Sequence, residues 1–403
     1  MFGLFKSQPV APELPEEKRL YFDNQFHWLL ENFGESPLEK EQLTPTPEHF
    51  PLIFDGSEKP VEQLKEILCR QMEIDPAQVH LDYFVHRKDV LDAGASQIWL
   101  QGSNASYASG LYWGKAEDGR YHIWLSKAHL RNPEALTATM GHELAHIRLL
   151  GERKLNSRYD HDHELITEML CVFSGLGVFR ANESFRINKG FDGWSYRYAG
   201  YLRQQSWGYL LALYAFLRDE KNPAWSKHLS GTVKKDFERS LRWLNETPAG
   251  KQFLDGKWTN DHYGMEKKNF SGTWIKQSTY GEHYGEGVAG KTMLTEIKIT
   301  DADGHLTGTG RDTEGHGIQD VPLTIKGTVR GDSIQFELQY HYTDKVVDGI
   351  VVRKAEKESY SVSYNGYFSF FLDAFIGEWR ILKEDPEKGL LSYGSGTWEM
   401  KRK

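Results

Sequence analysis

Cysteine is nearly missing from this chain: two in 403 residues, Cys69 and Cys171, far apart and without CxxC spacing. A disulfide-stapled secreted scaffold is thereby excluded, and a chain of this size buries enough apolar surface without bridges. The reading taken is two free thiols in a reducing compartment, with a single bridge between them as the alternative. Long apolar runs are missing too. Nothing approaches the ~18 uninterrupted apolar residues of a membrane-crossing helix. The opening MFGLFKSQPV leads into a Pro-rich acidic stretch instead of an apolar run of signal-peptide length. No basic tract is present, and the net charge is −8. Nucleic acid and anionic membrane are therefore set aside as partners. The protein is expected to be cytoplasmic.

What is present divides along the chain. Residues 1–60 read as a Pro-rich arm, a helix carrying Leu20, Phe26, Leu29 and Leu30, and a Pro-rich linker. Residues 61–265 begin with a short amphipathic helix and turn strand-like between Val79 and Leu125, where VHLDYF, QIWLQ, ASGLYW and YHIWLS are separated by Gly, Asp and Ser. Four helical stretches then follow, near 133–150, 162–175, 201–217 and 233–244. Residues 266–403 carry only β signals: short alternating runs divided by Gly, Asp and Asn, with Gly-x-Trp at Gly272/Trp274, Gly377/Trp379 and Gly396/Trp398. The fold class expected is α+β, with an all-β up-and-down barrel at the C-terminal end.

The segment that carries chemistry is Thr139-Met-Gly-His-Glu-Leu-Ala-His-Ile147. Asn132 as cap, Pro133 in the first turn and Glu134 near the positive end predict a helix start. Gly151 is expected to end that helix in the left-handed cap conformation. On a helix His142 and His146 are one turn apart, so both imidazoles reach one Zn²⁺ at about 2.0 to 2.1 Å. Glu143 then lies beside the ion, placed to take a proton from water. Apolar neighbours such as Met140, Leu144 and Ile147 bury the helix, and histidines facing a core are costly unless bonded or ligated. The bland alternative is a helix with two surface histidines and a solvated glutamate.

These residues resemble the metal-binding helix of zincin metallopeptidases, with Arg148 standing where the extended pattern keeps an apolar residue. The longer metzincin pattern fails, since Leu149 and Glu152 occupy its Gly and final His positions. Asp160-His-Asp-His-Glu-Leu-Ile-Thr-Glu168 follows, with Glu164 18 residues after His146. Gluzincins place a Glu ligand on a second helix at about this distance and an acidic residue four positions later against a ligand His. The resemblance therefore implies a zinc set of His142, His146 and Glu164, with Glu168 behind it and Glu143 catalytic. Glu168, His163 and His161 stay open as third ligand, and a plain acidic helix start accounts for Asp160, Asp162 and Glu164 equally. His142 to Asn182 is also similar to uncharacterised bacterial zincin-like proteins.

The activity so implied is a zinc-dependent hydrolase, a metallopeptidase acting on a peptide or protein. Tyr159, Tyr201 and His163 are candidates for stabilising the oxyanion. Tyr121–Ser126 would be the edge strand that holds an extended substrate. In the β region, Ser271-Gly-Thr-Trp274 and Asp301-Ala-Asp-Gly-His-Leu-Thr-Gly-Thr309 look like the first hairpins of avidin and lipocalin-like barrels. That implies eight strands around a packed interior or one small ligand. His305 and His316 are further metal candidates on loops. The competing reading is a ligand- or partner-binding sensor whose barrel carries the function, the zinc site being structural or vestigial.

Overall fold

The computed structural model describes residues 9–85, 110–155, 163–183, 185–190, 193–198, 202, 204–259, 269–281, 284–285, 287–316, 318, 322–330, 333–340, 343–347, 350–354, 360–369, 374–385 and 389–403. The chain divides into two units, Met1–Asn260 and Asp261–Lys403.

The first unit packs helices around a small sheet. Besides a single turn at Ser36–Glu39, its helices are α1 (Glu16–Phe33), α2 (Lys59–Gln71), α3 (Pro133–His146), α4 (His163–Phe173), α5 (Gly177–Glu183), α6 (Gln204–Leu217), α7 (Gly231–Glu246) and α8 (Pro248–Leu254). Helix α6 is apolar on every side, and Trp207 to Ala215 are all buried, as an all-round hydrophobic helix requires. Helix α1 is part of this core: Phe26 meets Phe173 edge-on and Phe22 packs on Tyr209. The helix expected between the arm and the linker thus supplies fully buried side chains, Phe22, Phe26 and Leu29, whereas Leu20 on the same helix is exposed. Cys69 and Cys171 are both buried and free, so the bridge held as an alternative does not form. No helix among the described residues is long and apolar enough to cross a membrane.

Strands β1 (Val79–Phe84), β2 (Gly110–Lys115) and β3 (Tyr121–Ser126) form a sheet in the order β1-β3-β2. Strand β3 pairs parallel with β1 and antiparallel with β2. This corrects one expectation. Tyr121–Ser126 is the central strand, its backbone groups engaged on both sides, so it offers no edge to a substrate. The free edge beside helix α3 belongs, among the described residues, to β2. That strand bulges at Trp113, relieved by Gly114 at φ +98°. A hairpin, β4 (Phe185–Gly190) with β5 (Gly193–Tyr198), follows α5.

The second unit is a closed antiparallel barrel of eight strands. Its strands are β6 (Gly272–Tyr280), β7 (Thr292–Ala302), β8 (His305–Gly315), β9 (Leu323–Arg330), β10 (Ser333–Tyr340), β13 (Tyr360–Ser369), β14 (Ala374–Asp385) and β15 (Gly389–Arg402). Each follows its sequence neighbour, apart from a hairpin, β11 (Thr343–Val347) with β12 (Ile350–Lys354), inserted between β10 and β13. Alternation drives closure: along β10 Ile334, Phe336, Leu338 and Tyr340 are buried and the residues between are exposed. The β7–β8 turn places Asp303 and Gly304 at positive φ, the geometry for which Asp-Gly is suited. The recurrent Gly-x-Trp interlocks strands, with Gly377 opposite Trp398 and Trp379 opposite Gly396. A side chain at Gly396 would strike the Trp379 indole at 2.7 Å.

Inside the barrel Lys276 is fully buried. It donates to Ser278 Oγ and Tyr364 Oη at 2.8 Å and lies 4.2 Å from the Tyr364 ring centroid. Burial pulls this amine down to about 7, opposed by Asp312.

Candidate metal centre

Helix α3 starts as its sequence dictates: the Asn132 side chain accepts from Ala135 N at 3.1 Å, with Pro133 and Glu134 in the first turn. Its end differs from expectation. The helix widens into a π turn at Ile147–Gly151, and the left-handed residue is Arg153 (φ +59°), not Gly151. Lys154 N bonds to Leu149 O and Arg153 N to Leu150 O, so the reversal falls two residues late. Gly151 is instead a packing position, since a Cβ there would meet the Tyr121 ring at 2.8 Å. Arg148 is engaged elsewhere, pairing with Glu152 at 2.8 Å, bonding the Met72 carbonyl and covering the Phe33 ring. Its polarity belongs to that contact.

Helices α3 and α4 bring His142, His146 and Glu164 together, with one ligand atom from each mutually within 4.8 Å. The two Nε2 atoms are 3.2 Å apart, and Glu164 places its oxygens 3.3 Å from His142 Nε2 and 3.6 Å from His146 Nε2. A tetrahedral ion with bonds near 2.05 Å has ligand–ligand edges of about 3.3 Å. The donor set fits zinc in type and spacing. The far side of each ring fits as well. Thr167 Oγ1 donates to His163 O at 2.7 Å and faces His146 Nδ1 at 3.3 Å. It therefore accepts from Nδ1–H, leaving His146 Nε2 bare toward the centre. His142 Nδ1 faces Glu168 Oε1 at 3.5 Å, long for a hydrogen bond but close for charge pairing.

Glu168 has no exposed surface and is held by Arg180, whose Nε donates to Oε2 at 2.7 Å and whose Nη2 reaches Oε1. Burial raises this carboxyl, but Arg180 and His142 outweigh it and bring it down to about 2. Glu168 is thus the buried anion behind His142, apart from the Glu164 position. His163 lies 3.4 Å from Glu164, with its ring 6.1 Å from that of His146. His161, Tyr159 and Tyr201 lie outside the described residues. His305 and His316 belong to neither cluster of potential ligands found among the described residues.

Glu143 sits one side of the cluster under strand β2. A Cβ on Gly110 would meet Thr139 Cγ2 at 2.5 Å and Glu143 Oε1 at 3.1 Å, so only glycine lets the strand lie this close. Burial raises the Glu143 carboxyl to about 7, opposed by His142, reinforced by Glu164, and moderated by the Tyr112 backbone N–H. The pKa of His146 is lowered by burial to about 3. His142 goes the other way to about 10: burial opposes its charge, and Glu168 and Glu164 override it.

No family model matches the chain, and no curated protein matches it. Solved structures do. Rhizavidin in its biotin complex is 19% identical, over 33% of this chain and 92% of that one, with a TM-score of 0.21. Apo shwanavidin is 16% identical, over 33% and 98%, with the same TM-score. The likeness is to the barrel.

Sequence reasoning missed Tyr112, Thr167 and Arg180. Tyr112 stacks on the His146 ring at 19° with centroids 5.9 Å apart. Arg180 left a faint signal as a cation among buried residues soon after Glu168. Tyr112 left none, because its strand reaches the site only through the sheet.

Proposed function

We propose that the first unit is a zinc-dependent hydrolase, a metallopeptidase of gluzincin type. The observation that carries this is the convergence of His142, His146 and Glu164 within 4.8 Å, with Glu143 buried alongside and bonded to strand β2. Bound zinc would act as a Lewis acid, polarising a scissile carbonyl and acidifying water. Thr167 holds the His146 imidazole in the tautomer that presents Nε2, and the buried Glu168 carboxylate behind His142 favours a proton on its Nδ1 side. Glu143, poised near neutral pH, takes a proton from the attacking water and passes it to the leaving amine. Strand β2 offers the backbone edge beside Glu143 along which an extended peptide can pair. Glu143→Gln is expected to keep its zinc and lose about 10²–10⁴-fold in peptide hydrolysis. Hydrolysis at the wild-type rate by that variant would remove Glu143 from the mechanism.

A second reading, small-ligand binding by the barrel, is supported by one observation. Lys276 Nζ, Ser278 Oγ and Tyr364 Oη form a buried polar group inside it, the type of set that orients a ligand in an apolar cavity. It predicts that small carboxylates raise the barrel's unfolding midpoint in wild type and not in Lys276→Met. The two functions are compatible in one chain.

A further inference from the structure

A second cluster lies on the other part of the fold's sheet. His80 and Asp82 are two residues apart on β1, so both side chains leave the same face. The parallel register sets His122 of β3 directly beside His80. Three potential ligands are thereby fixed on one face by backbone pairing alone. Asp82 sits between the imidazoles: Oδ1 is 3.4 Å from His80 Nε2, and Oδ2 is 2.7 Å from His122 Nδ1. The rings are tilted 48° with centroids 4.6 Å apart, which brings their nitrogens toward the carboxylate instead of stacking them. One ligand atom from each residue falls within the same 4.8 Å limit as in the first cluster.

The remaining nitrogen of His122 is also engaged. Asp118, in the β2–β3 turn, places its oxygens 3.2 and 3.3 Å from His122 Nε2. Asp118 is itself fixed by the Arg120 backbone N–H at 2.9 Å and Arg120 Nε at 2.8 Å. A carboxylate accepting from one ring nitrogen leaves the other free to bind, the arrangement that tunes a histidine ligand. Two carboxylates against one arginine leave this patch anionic. The side chains of His80, Asp82 and His122 are 36%, 22% and 20% exposed, so an ion can enter and keep water in its remaining positions.

We propose that His80, Asp82 and His122 form a second divalent transition-metal site, of zinc type, with Asp118 orienting His122. Two imidazoles and one carboxylate are a borderline-soft set that suits zinc or nickel over magnesium or calcium. Bound metal clasps the parallel pair β1–β3. Strand β3 runs through a single turn into helix α3, so the clasp steadies the strand that precedes the HExxH segment.

Zinc stoichiometry of the full-length chain tests this, measured by elemental analysis after metal removal and equilibrium dialysis against low-micromolar zinc. Wild type should hold two ions, His122→Ala one, His146→Ala one, and the double variant none. Asp118→Asn should weaken only the second ion, by about 10 to 100-fold. Asp82→Asn repeats the His122 test with little change of shape, and its circular dichroism reports folding. Equal zinc in wild type, His122→Ala and Asp82→Asn overturns the proposal. Failure of the HExxH reading would look different: one ion in wild type, lost in His122→Ala and kept in His146→Ala.

Discussion

Replacing Arg180 by methionine removes a charge while keeping most of the side-chain length, and the structure sets the size of the effect. Glu168 has no exposed surface, and Arg180 is the cation bonded to it, through Nε at 2.7 Å and through Nη2. Two unit charges about 4 Å apart attract by about 4 kcal/mol at an effective dielectric constant near 20. Stranding one partner of a buried pair costs about 3–5 kcal/mol. That is a large part of the ~5–15 kcal/mol that holds a typical domain together. Arg180→Met should therefore destabilise the first unit by about 3–5 kcal/mol, and Glu168→Gln in the same background should recover about 2–3 kcal/mol. Hydrogen exchange of peptides from α4 and α5 in increasing urea reads this unit separately from the barrel. The orphaned Glu168 should also take up a proton and weaken its hold on His142, lowering zinc affinity. If Arg180→Met costs under ~1 kcal/mol, or the two changes simply add, the pair does not organise this site.

Other predictions follow from single contacts. Gly110→Ala puts a methyl 2.5 Å from Thr139 Cγ2 and 3.1 Å from Glu143 Oε1. It should cost about 1–3 kcal/mol of stability by overpacking and lower hydrolysis more than zinc content. Lys276 is held down to about 7 by burial, whereas an unfolded lysine titrates near 10.4. Between those pH values the unfolded chain binds more protons, so this residue's penalty is full below pH ~7 and fades as pH rises toward ~10. The stability advantage of Lys276→Met over wild type should shrink across that window in denaturant titrations of the barrel. An advantage that is constant or growing with pH would contradict a neutral buried amine. His146→Ala should abolish both zinc at the first site and peptide hydrolysis, read by elemental analysis and a peptide-library assay.

Much of this was legible because it is local. Asn132, Pro133 and Glu134 cap a helix through their own backbone neighbours. His142 and His146 share a face by helical pitch alone, and the period-two runs after residue 266 close a barrel without long-range information. The errors fall where distant segments decide. Nothing within Tyr121–Ser126 reveals that β1, some 40 residues earlier, pairs along one side and turns an expected edge strand into a central one. The cluster of His80, Asp82 and His122 is invisible for the same reason, since it exists only through that parallel register. The packing role of Gly151, under the Tyr121 and Tyr112 rings, likewise comes from the sheet and not from its neighbours in sequence. Arg148, a departure from the zincin pattern in sequence, is explained by the Met72 carbonyl and Phe33 ring that α3 meets only in the folded unit.

The central claim is that His142, His146 and Glu164 hold one zinc ion in a site open to water. The most direct test is the zinc content of purified full-length protein, wild type against His146→Ala and Glu164→Ala, with His122→Ala as background to silence the second cluster. One zinc per chain, lost in both variants, is the result expected. Zinc retained in Glu164→Ala, or no zinc bound by the parent even when supplied, would contradict the account.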